Sequence, residues 1–291
     1  MDLKRRVKHH LGQIMYRTGA YRSRLADRAV IVLFHRVDDR LEGDPISCTE
    51  AEFRGFCAFF KRYFNVISFG ELLNKIDTGR PVGGNLVITF DDGYRDNRIT
   101  AAPILKEFGL PACFYIATGY IGTERVPWWD EKLAFRPEWM SWDEVRELGE
   151  LGFELGAHTV NHVDLGSVSN EVAYREINES RARLAEEVGR PVDLFSYPYG
   201  RVYQITEDAR QMVRDAGFTC CVSAFGGYVT GREDLFELRR TPISPWYLTP
   251  YQFGFELLTE PGETALPGPP PDRDALPAET GARRGPVTPG S

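Results

Sequence analysis

Short apolar runs alternate with longer amphipathic stretches along most of this chain. The apolar runs are bounded by polar residues and predict buried strands at residues 30–34, 86–90, 112–117, 153–157, 194–197 and 218–223. The stretches between them repeat apolar residues at helical spacing and predict helices at residues 50–64, 101–108, 170–188 and 207–216. Because strands and helices alternate in this order, we predict a parallel α/β fold with its chemistry at the carboxyl ends of the strands.

Length and composition favour one globular domain with a substantial core. The chain has 291 residues, of which 42% are hydrophobic and 26% are charged. Its five cysteines form no CxxC pair, so we predict reduced core thiols, with Cys220 and Cys221 on opposite sides of one strand. No uninterrupted apolar stretch suited to a secretory signal or a membrane span follows the basic N-terminus, which predicts a cytoplasmic protein.

Two adjacent carboxylates follow the predicted strand at residues 86–90. Side chains alternate across a strand, so Asp91 and Asp92 can converge on one site only where the backbone leaves the sheet, and Gly93 permits that departure. One carboxylate can then hold a metal ion while the other moves a proton. Considered alone, such a doublet is more often a pair of solvated turn residues.

Two of the five histidines follow the predicted strand at residues 153–157. His158 and His162 are four positions apart, and on a helical turn this spacing places two imidazoles on one face, within reach of one cation. Two imidazoles and one carboxylate leave coordination positions open for water and substrate. Such a pair alone is usually part of a helix surface or of a capped loop, but together with the upstream carboxylates it predicts a metal site.

At these residues the chain resembles the NodB-type polysaccharide deacetylases, which are the family-four carbohydrate esterases. The family's first motif, Thr-Phe-Asp-Asp-Gly, and its second motif, His-[Ser/Thr]-x-x-His, both match in full. The resemblance implies that Asp92, His158 and His162 bind a divalent metal, expected to be zinc, with cobalt or another divalent ion as alternatives. It also implies that Asp91 is the general base that deprotonates the attacking water, and that the fold is a distorted (β/α)7 barrel.

The family's third motif is typically Arg-x-Pro-Tyr-Gly, and this chain departs from it. Ser196 stands in the arginine position, so the side chain that would orient Asp91 must come from elsewhere. The candidates are Arg201, Arg239 and Arg240. The remaining Tyr-Pro-Tyr-Gly sequence would place the backbone N–H of Tyr199 at the developing oxyanion. Without the other motifs, this segment would be interpreted as a Pro-Gly turn that ends a strand.

The family's C-terminal motif, a Leu-x-His that supplies the general acid, is missing, because no histidine follows His162. His35 ends the predicted strand at residues 30–34 and resembles the Tyr-His-x-Val start of the exopolysaccharide-deacetylase branch, where an N-terminal histidine acts as the acid. A histidine pKa near neutrality suits that role. The alternative is a histidine that closes the strand by hydrogen bonding to the backbone.

A tryptophan-rich segment follows the predicted strand at residues 112–117. Four of the five tryptophans lie between residues 128 and 142. We weigh Trp128 and Trp129 equally as a glycan-stacking platform and as core residues, whereas Trp142 is assigned to packing because Ser141 begins a helix capping box. The further residues that we predict to contact substrate are Tyr94, Pro198 and Arg239.

The resemblance implies a metal-dependent hydrolase that removes the N-acetyl group from an N-acetylated amino sugar in a glycan or glycoconjugate and releases acetate. Two alternatives stay open: a catalytically weak glycan-binding protein, suggested by the two motif departures, and an amidase of a non-sugar amide. The identity of the sugar and the oligomeric state are left open. The overall charge of −7 argues against a nucleic-acid partner.

The two ends of the chain differ from its centre. Residues 1–28 place apolar residues at helical spacing among eight lysines and arginines and two acidic residues, which predicts a basic amphipathic helix. Such a helix either packs on its own domain or makes peripheral contact with the inner membrane surface. Residues 29–260 form the predicted catalytic domain. Residues 261–291 contain eight prolines without apolar periodicity and are predicted to be a disordered tail.

Overall fold

A computed structural model describes residues 3–247 and 249–259 of the chain. Its strands are β1 Val30–Phe34, β2 Arg36–Val37, β3 Ser47–Cys48, β4 Asn65–Val66, β5 Asn85–Phe90, β6 Cys113–Ile116, β7 Glu154–Ala157, β8 Leu194–Ser196, β9 Cys220–Val222 and β10 Thr241–Pro242. Its helices are α1 Leu3–Thr18, α2 Tyr21–Arg24, α3 Glu50–Tyr63, α4 Phe69–Asp77, α5 Ala102–Phe108, α6 Trp142–Glu150, α7 Asn170–Val188, α8 Glu207–Asp215 and α9 Pro250–Thr259. The six predicted strands and four predicted helices are confirmed, with ends displaced by at most a few residues. The predicted tail at residues 261–291 lies outside the described residues.

The main sheet is parallel and closes into a barrel. Its strands follow the order β10-β1-β5-β6-β7-β8-β9, and β4 pairs with the start of β5. The segment that leads into β10 returns to the opposite edge, where Leu238 pairs with Val222 and its carbonyl accepts a hydrogen bond from the Ser223 N–H at 2.8 Å. Residues 238–242 therefore form a seam that joins β9 to β1. The predicted distorted (β/α)7 barrel is confirmed.

The barrel interior and the layer under the helices are separate apolar clusters. Along β5, Val87 packs inside the barrel, whereas Ile88 and Phe90 pack under the helices. The strand alternation continues this pattern, so Thr89 and Asp91 share the inward side with Val87. All five cysteines are buried free thiols, and Cys220 and Cys221 lie in different clusters, as predicted.

The N-terminal helix α1 packs against α9, the last described helix. Gly12 makes this possible, because a Cβ atom there would lie 2.0 Å from the carbonyl oxygen of Tyr251. Tyr16 is buried beside them, and Lys8 Nζ lies 3.0 Å from Glu256 Oε1. The inner face of α1 therefore belongs to the packed domain.

The tryptophan-rich segment ends in the helix start that the sequence predicts. The Ser141 hydroxyl accepts a hydrogen bond from the Glu144 N–H, and the Glu144 carboxylate accepts one from the Ser141 N–H. Trp142 is half-buried against the core under the guanidinium of Arg183, which agrees with a packing role. The capping box thus ends the long loop after β6 and begins α6.

Candidate active site

The two carboxylates after β5 reach the site through an unusual backbone turn. The Asp91 N–H donates to the Phe34 carbonyl at 3.0 Å and so continues the pairing with β1. The chain then turns at Asp92, whose φ is 76°, and at Gly93, whose φ is 92°. Gly93 takes part in the departure, as expected, but Asp92 also adopts the left-handed region that disfavours side chains, which was not expected. This turn brings both carboxylates to one side.

The two histidines converge through a loop, so the helical explanation of their spacing was wrong. His158 directly follows β7, and left-handed backbone at Thr159 (φ 61°) and His162 (φ 54°) folds the loop back. The ring centroids of His158 and His162 lie 4.9 Å apart. Asp92 Oδ1 lies 3.4 Å from His158 Nε2 and 3.3 Å from His162 Nε2. The three side chains are buried, and their potential ligand atoms all lie within 4.8 Å of one another.

Glu176 of α7 holds this loop in place, and the sequence reasoning missed it. Its side chain is buried and accepts hydrogen bonds from the backbone N–H groups of Val160 and Asn161, at 2.8 Å and 2.7 Å, and from the Asn161 amide at 2.7 Å. These bonds satisfy the loop backbone between the two histidines. A single glutamate within a helix carries no sequence signal that would reveal this role.

The donor set fits a divalent cation. Asp92 Oδ1 is buried and accepts no hydrogen bond from the described residues, although buried polar atoms normally have partners. His158 Nδ1 lies 2.8 Å from the Ser196 carbonyl, which can only accept, so Nδ1 carries the proton and the Nε2 lone pair faces the site. One carboxylate oxygen and two imidazole nitrogens are ligands that zinc and related divalent ions bind.

The charge states in this cluster also fit a cation. Burial raises the pKa of Asp92, but the imidazoles of His158 and His162 outweigh that effect and hold its pKa well below the ordinary value. Burial lowers the pKa of His162 to about 4, which leaves a neutral imidazole at neutral pH. For His158, burial lowers the pKa, and the carboxylates of Asp91 and Asp92 more than offset this. An anionic oxygen therefore lies beside a neutral imidazole.

Arg240 is the candidate arginine that contacts Asp91. Its Nη1 and Nη2 donate to Asp91 Oδ1 and Oδ2 at 2.7 Å and 2.6 Å, and Nη2 also donates to Ser196 Oγ at 2.8 Å. The remaining donors bond to Thr89 Oγ1 and the Ser223 carbonyl, so all of the guanidinium N–H groups have partners. Of the three candidates, only Arg240 bonds to Asp91.

Asp91 is therefore held as an anion in a fixed orientation. Burial raises its pKa, but the adjacent Arg240 guanidinium, with a smaller contribution from His158, lowers the pKa below the ordinary value. Ser196, in the arginine position of the motif, donates its hydroxyl to Asp91 Oδ2 at 3.0 Å. The serine and the distant arginine thus together support the carboxylate. His158 Nε2 lies 3.8 Å from Asp91 Oδ2, which places this carboxylate beside the metal ligands.

His35 ends β1 next to this cluster. Its ring is half-buried, and Nδ1 has no hydrogen-bond partner among the described residues. Burial lowers its pKa, against the attraction of the Asp92 and Asp91 carboxylates. Its carbonyl accepts a hydrogen bond from the Asn97 amide at 2.7 Å, but that bond fixes the backbone and leaves the ring available.

Aromatic side chains cover one side of the site. Tyr199 has a left-handed φ of 60°, and its ring centroid lies 4.7 Å from that of His162. Trp129 is half-buried with its ring centroid also 4.7 Å from His162, whereas Trp128 is 54% exposed and its indole donates to the Tyr199 hydroxyl at 3.3 Å. Pro198, which was predicted to contact substrate, is buried. The tryptophan pair thus lies at the site, one ring within it and one at its rim.

Two residues that we predicted to contact substrate, Tyr94 and Arg239, contact other side chains of the protein. Tyr94 is fully buried, so it is not exposed to a substrate; its hydroxyl donates to Asp130 at 2.7 Å and accepts from the Trp129 indole at 2.8 Å. It therefore orients Trp129 instead of touching a sugar. Arg239 stacks on Phe225, with 5.2 Å from its guanidinium carbon to the ring centroid.

This chain is similar in sequence to several known proteins. Residues 79–221, just under half of the chain, match the family model described as polysaccharide deacetylase. The Bacillus subtilis protein YxkH, provisionally named a polysaccharide deacetylase, is 24% identical over 160 residues, which is 55% of this chain and 52% of that protein. The poly-beta-1,6-N-acetyl-D-glucosamine N-deacetylase of Staphylococcus aureus is 25% identical over 208 residues, 68% of each chain. This chain thus spans about half the length of the first relative.

Solved structures support the fold independently of the sequence motifs. The deacetylase PplD of Streptococcus pyogenes, solved with acetate, superposes with a TM-score of 0.65 at 21% identity and covers 78% of this chain and 96% of its own. The structure of IcaB from Ammonifex degensii gives a TM-score of 0.65 at 20% identity and covers 80% of this chain and 98% of its own. At these identities the likeness establishes the shared fold.

Proposed function

We propose that this chain, which belongs to the polysaccharide deacetylase family, is a metal-dependent N-deacetylase that releases acetate from an N-acetylated amino sugar. The observation that carries the proposal is one carboxylate, Asp91, fixed by Arg240 beside the buried group of Asp92, His158 and His162. Asp91 Oδ2 lies 3.8 Å from His158 Nε2, and a general base this close to a cation site suits hydrolysis of an amide. A weak glycan-binding protein is less well supported, because Arg240 bonds to Asp91 and so supplies one of the two features whose absence suggested it, the other being the C-terminal histidine.

Asp92, His158 and His162 would hold the cation, which we propose to be zinc. A divalent ion bound there supplies Lewis acidity, which lowers the pKa of water toward about 7 and polarises the acetyl carbonyl. The chain supplies the proton transfers. Asp91 accepts the proton of the attacking water, and Arg240 keeps this carboxylate ionised and correctly oriented. The Tyr199 N–H is proposed to face the oxyanion, for which its left-handed backbone is the supporting feature.

His35 is proposed to protonate the departing amine. An amide nitrogen leaves poorly as an anion, so a proton donor is required at that position. The supporting observations are its place at a barrel strand end and a ring nitrogen without a partner among the described residues.

The proposed substrate class is a polymer or conjugate of N-acetylglucosamine. The Staphylococcus aureus relative is named for such a polymer. In this chain, the exposed ring of Trp128 beside Tyr199 offers a flat apolar surface with polar edges, which suits the face of a pyranose ring. A non-sugar amide remains the alternative that a substrate panel would test.

Metal removal tests the proposed function directly. Dialysis against a chelator should abolish acetate release from N-acetylated chito-oligosaccharides and from poly-β-1,6-N-acetylglucosamine, and added zinc should restore it, because the chain itself has no Lewis acid. Mass spectrometry should show a loss of about 42 Da per deacetylated sugar. His158→Ala, which removes one ligand, is the matched variant that zinc should fail to rescue. Chelator-insensitive release would contradict the proposal.

Replacing His35 with alanine should lower turnover about 10²- to 10⁴-fold and leave metal content unchanged, because His35 supplies a proton and no ligand. Acetate release and metal content per chain are the two measurements. His10→Ala is the matched control, because His10 is an exposed histidine of α1. Wild-type turnover in His35→Ala would reject the acid role.

A further inference from the structure

The helix α1 has two apolar faces, and the described residues of the domain pack against only one of them. Gly12 and Tyr16 are buried and face α9 and α3. On the opposite side, at about 100° per residue, lie four apolar side chains on one stripe. This outer stripe consists of Leu3, Val7, Leu11 and Ile14, which are 74%, 48%, 42% and 59% exposed. Exposed aliphatic residues scattered singly need no explanation, but a contiguous row along one helix does.

The basic residues of α1 lie either on the side that faces the domain or along the two borders of the outer stripe. Lys8 and Arg5 lie toward the domain, where Lys8 pairs with Glu256 and Arg5 covers the ring of Trp246 at 4.1 Å. Lys4 borders the outer stripe on one side, and Arg6 and Arg17 border it on the other; all three side chains are exposed. The outer stripe is therefore an apolar centre with cationic margins, about 16 Å long over eleven residues of helix rise.

We propose that the outer stripe of α1 is a docking surface for a lipid bilayer that contains anionic headgroups. An interfacial helix buries its apolar side chains at the level of the acyl boundary while lysine and arginine side chains contact lipid phosphates. Residues 1–28 contain eight basic and two acidic residues, whereas the rest of the chain is strongly acidic. The acidic remainder is repelled by an anionic surface, so the protein docks with α1 toward the lipid.

Charge also argues against the competing occupant, a second copy of this chain. Dimerisation through the outer stripe would bring two sets of basic margins together, and like charges at a close interface oppose association. An anionic lipid surface complements the same margins. No helix in the part of the chain that the structure describes is long and apolar enough to span a membrane.

The test is vesicle co-sedimentation of the full chain. Vesicles of phosphatidylcholine with phosphatidylglycerol should pellet the protein at low salt, and vesicles of phosphatidylcholine alone should bind at least tenfold less. Val7→Gln combined with Ile14→Gln should reduce binding at least tenfold. The matched control is Ile99→Gln combined with Tyr174→Gln, because these side chains are 53% and 54% exposed on other elements, and it should bind as the wild type does.

Three outcomes would overturn the proposal. The first is no binding to anionic vesicles at low salt, and the second is equal binding by the Val7/Ile14 variant. The third is a dimer in light scattering that Val7→Gln with Ile14→Gln dissociates, because the outer stripe would then be a self-association surface. Acetate release by the Val7/Ile14 variant on a soluble oligosaccharide should equal that of the wild type, which shows that the variant is folded.

Discussion

Replacing Asp91 with asparagine should lower the rate of acetate release by a factor of about 10²–10⁴, the usual contribution of a positioned general base. Asparagine preserves the shape of the side chain but cannot accept the proton of water at neutral pH. The metal ligands are unchanged, so metal content per chain should match the wild type. Acetate release and metal analysis on the same preparation measure both quantities. This combination separates loss of the base from loss of the cation.

Asp193→Asn is the matched control, because Asp193 is a surface carboxylate that pairs with Arg181 at 3.2 Å. It should leave the rate unchanged. A rate for Asp91→Asn above one tenth of the wild-type rate would show that Asp91 is not the base, provided that the protein retains its metal.

Replacing Arg240 with methionine should lower both the free energy of unfolding and the rate. Arg240 and Asp91 are 0% and 3% exposed, so removal of the guanidinium leaves an uncompensated carboxylate in the barrel. Breaking a buried pair in this way typically costs about 3–5 kcal/mol. Chemical denaturation should measure that loss, and acetate release should fall because Asp91 is no longer held ionised and oriented.

The pH dependence of this loss has a definite sign. Arg240 lowers the pKa of Asp91 below its ordinary value, so the pair stabilises the fold fully above that ordinary value. This contribution is lost as the pH falls further, through the folded-state pKa. The deficit of the Arg240→Met variant should therefore be complete at neutral pH and shrink in acid, where the carboxylate becomes neutral.

Arg239→Met offers a matched control at the adjacent position. Arg239 is only partly buried and stacks on Phe225, so its loss should change the free energy of unfolding by less than about 1 kcal/mol. Equal destabilisation by the two variants, or a deficit for Arg240→Met that persists unchanged in acid, would contradict the role assigned to Arg240.

The strands of this fold are readable from sequence because a parallel sheet covered on both faces produces continuous apolar runs. Every residue of β1 and β5 is buried, and both strands were predicted within one residue of their ends. The paired segments β2, β3, β4 and β10 have two residues each, which is too short for any periodicity. Their positions depend on the barrel seam and on neighbouring strands.

The residues of the site that directly follow strands could be predicted from the sequence. The residues that reach the site through long-range contacts could be predicted only in part. Asp91, Asp92 and His158 follow strands directly, and the sequence places them at the correct edge. The partner of Asp91 could be narrowed only to three arginines, because Arg240 lies 149 residues away and is selected by barrel closure. The spacing of His158 and His162 predicted a shared face of a helical turn, whereas the two residues lie on a loop.

The barrel seam at residues 238–242 determines when the candidate active site can be completed during synthesis of the chain. Arg240 lies within this last strip, immediately before Thr241 pairs with Val32 of the first strand. A ribosome makes Asp91 long before it makes Arg240, and until the strip docks, Asp91 lacks the guanidinium that bonds to both of its oxygens. Completion of the ring and pairing of the Asp91 carboxylate with its guanidinium partner are therefore one event.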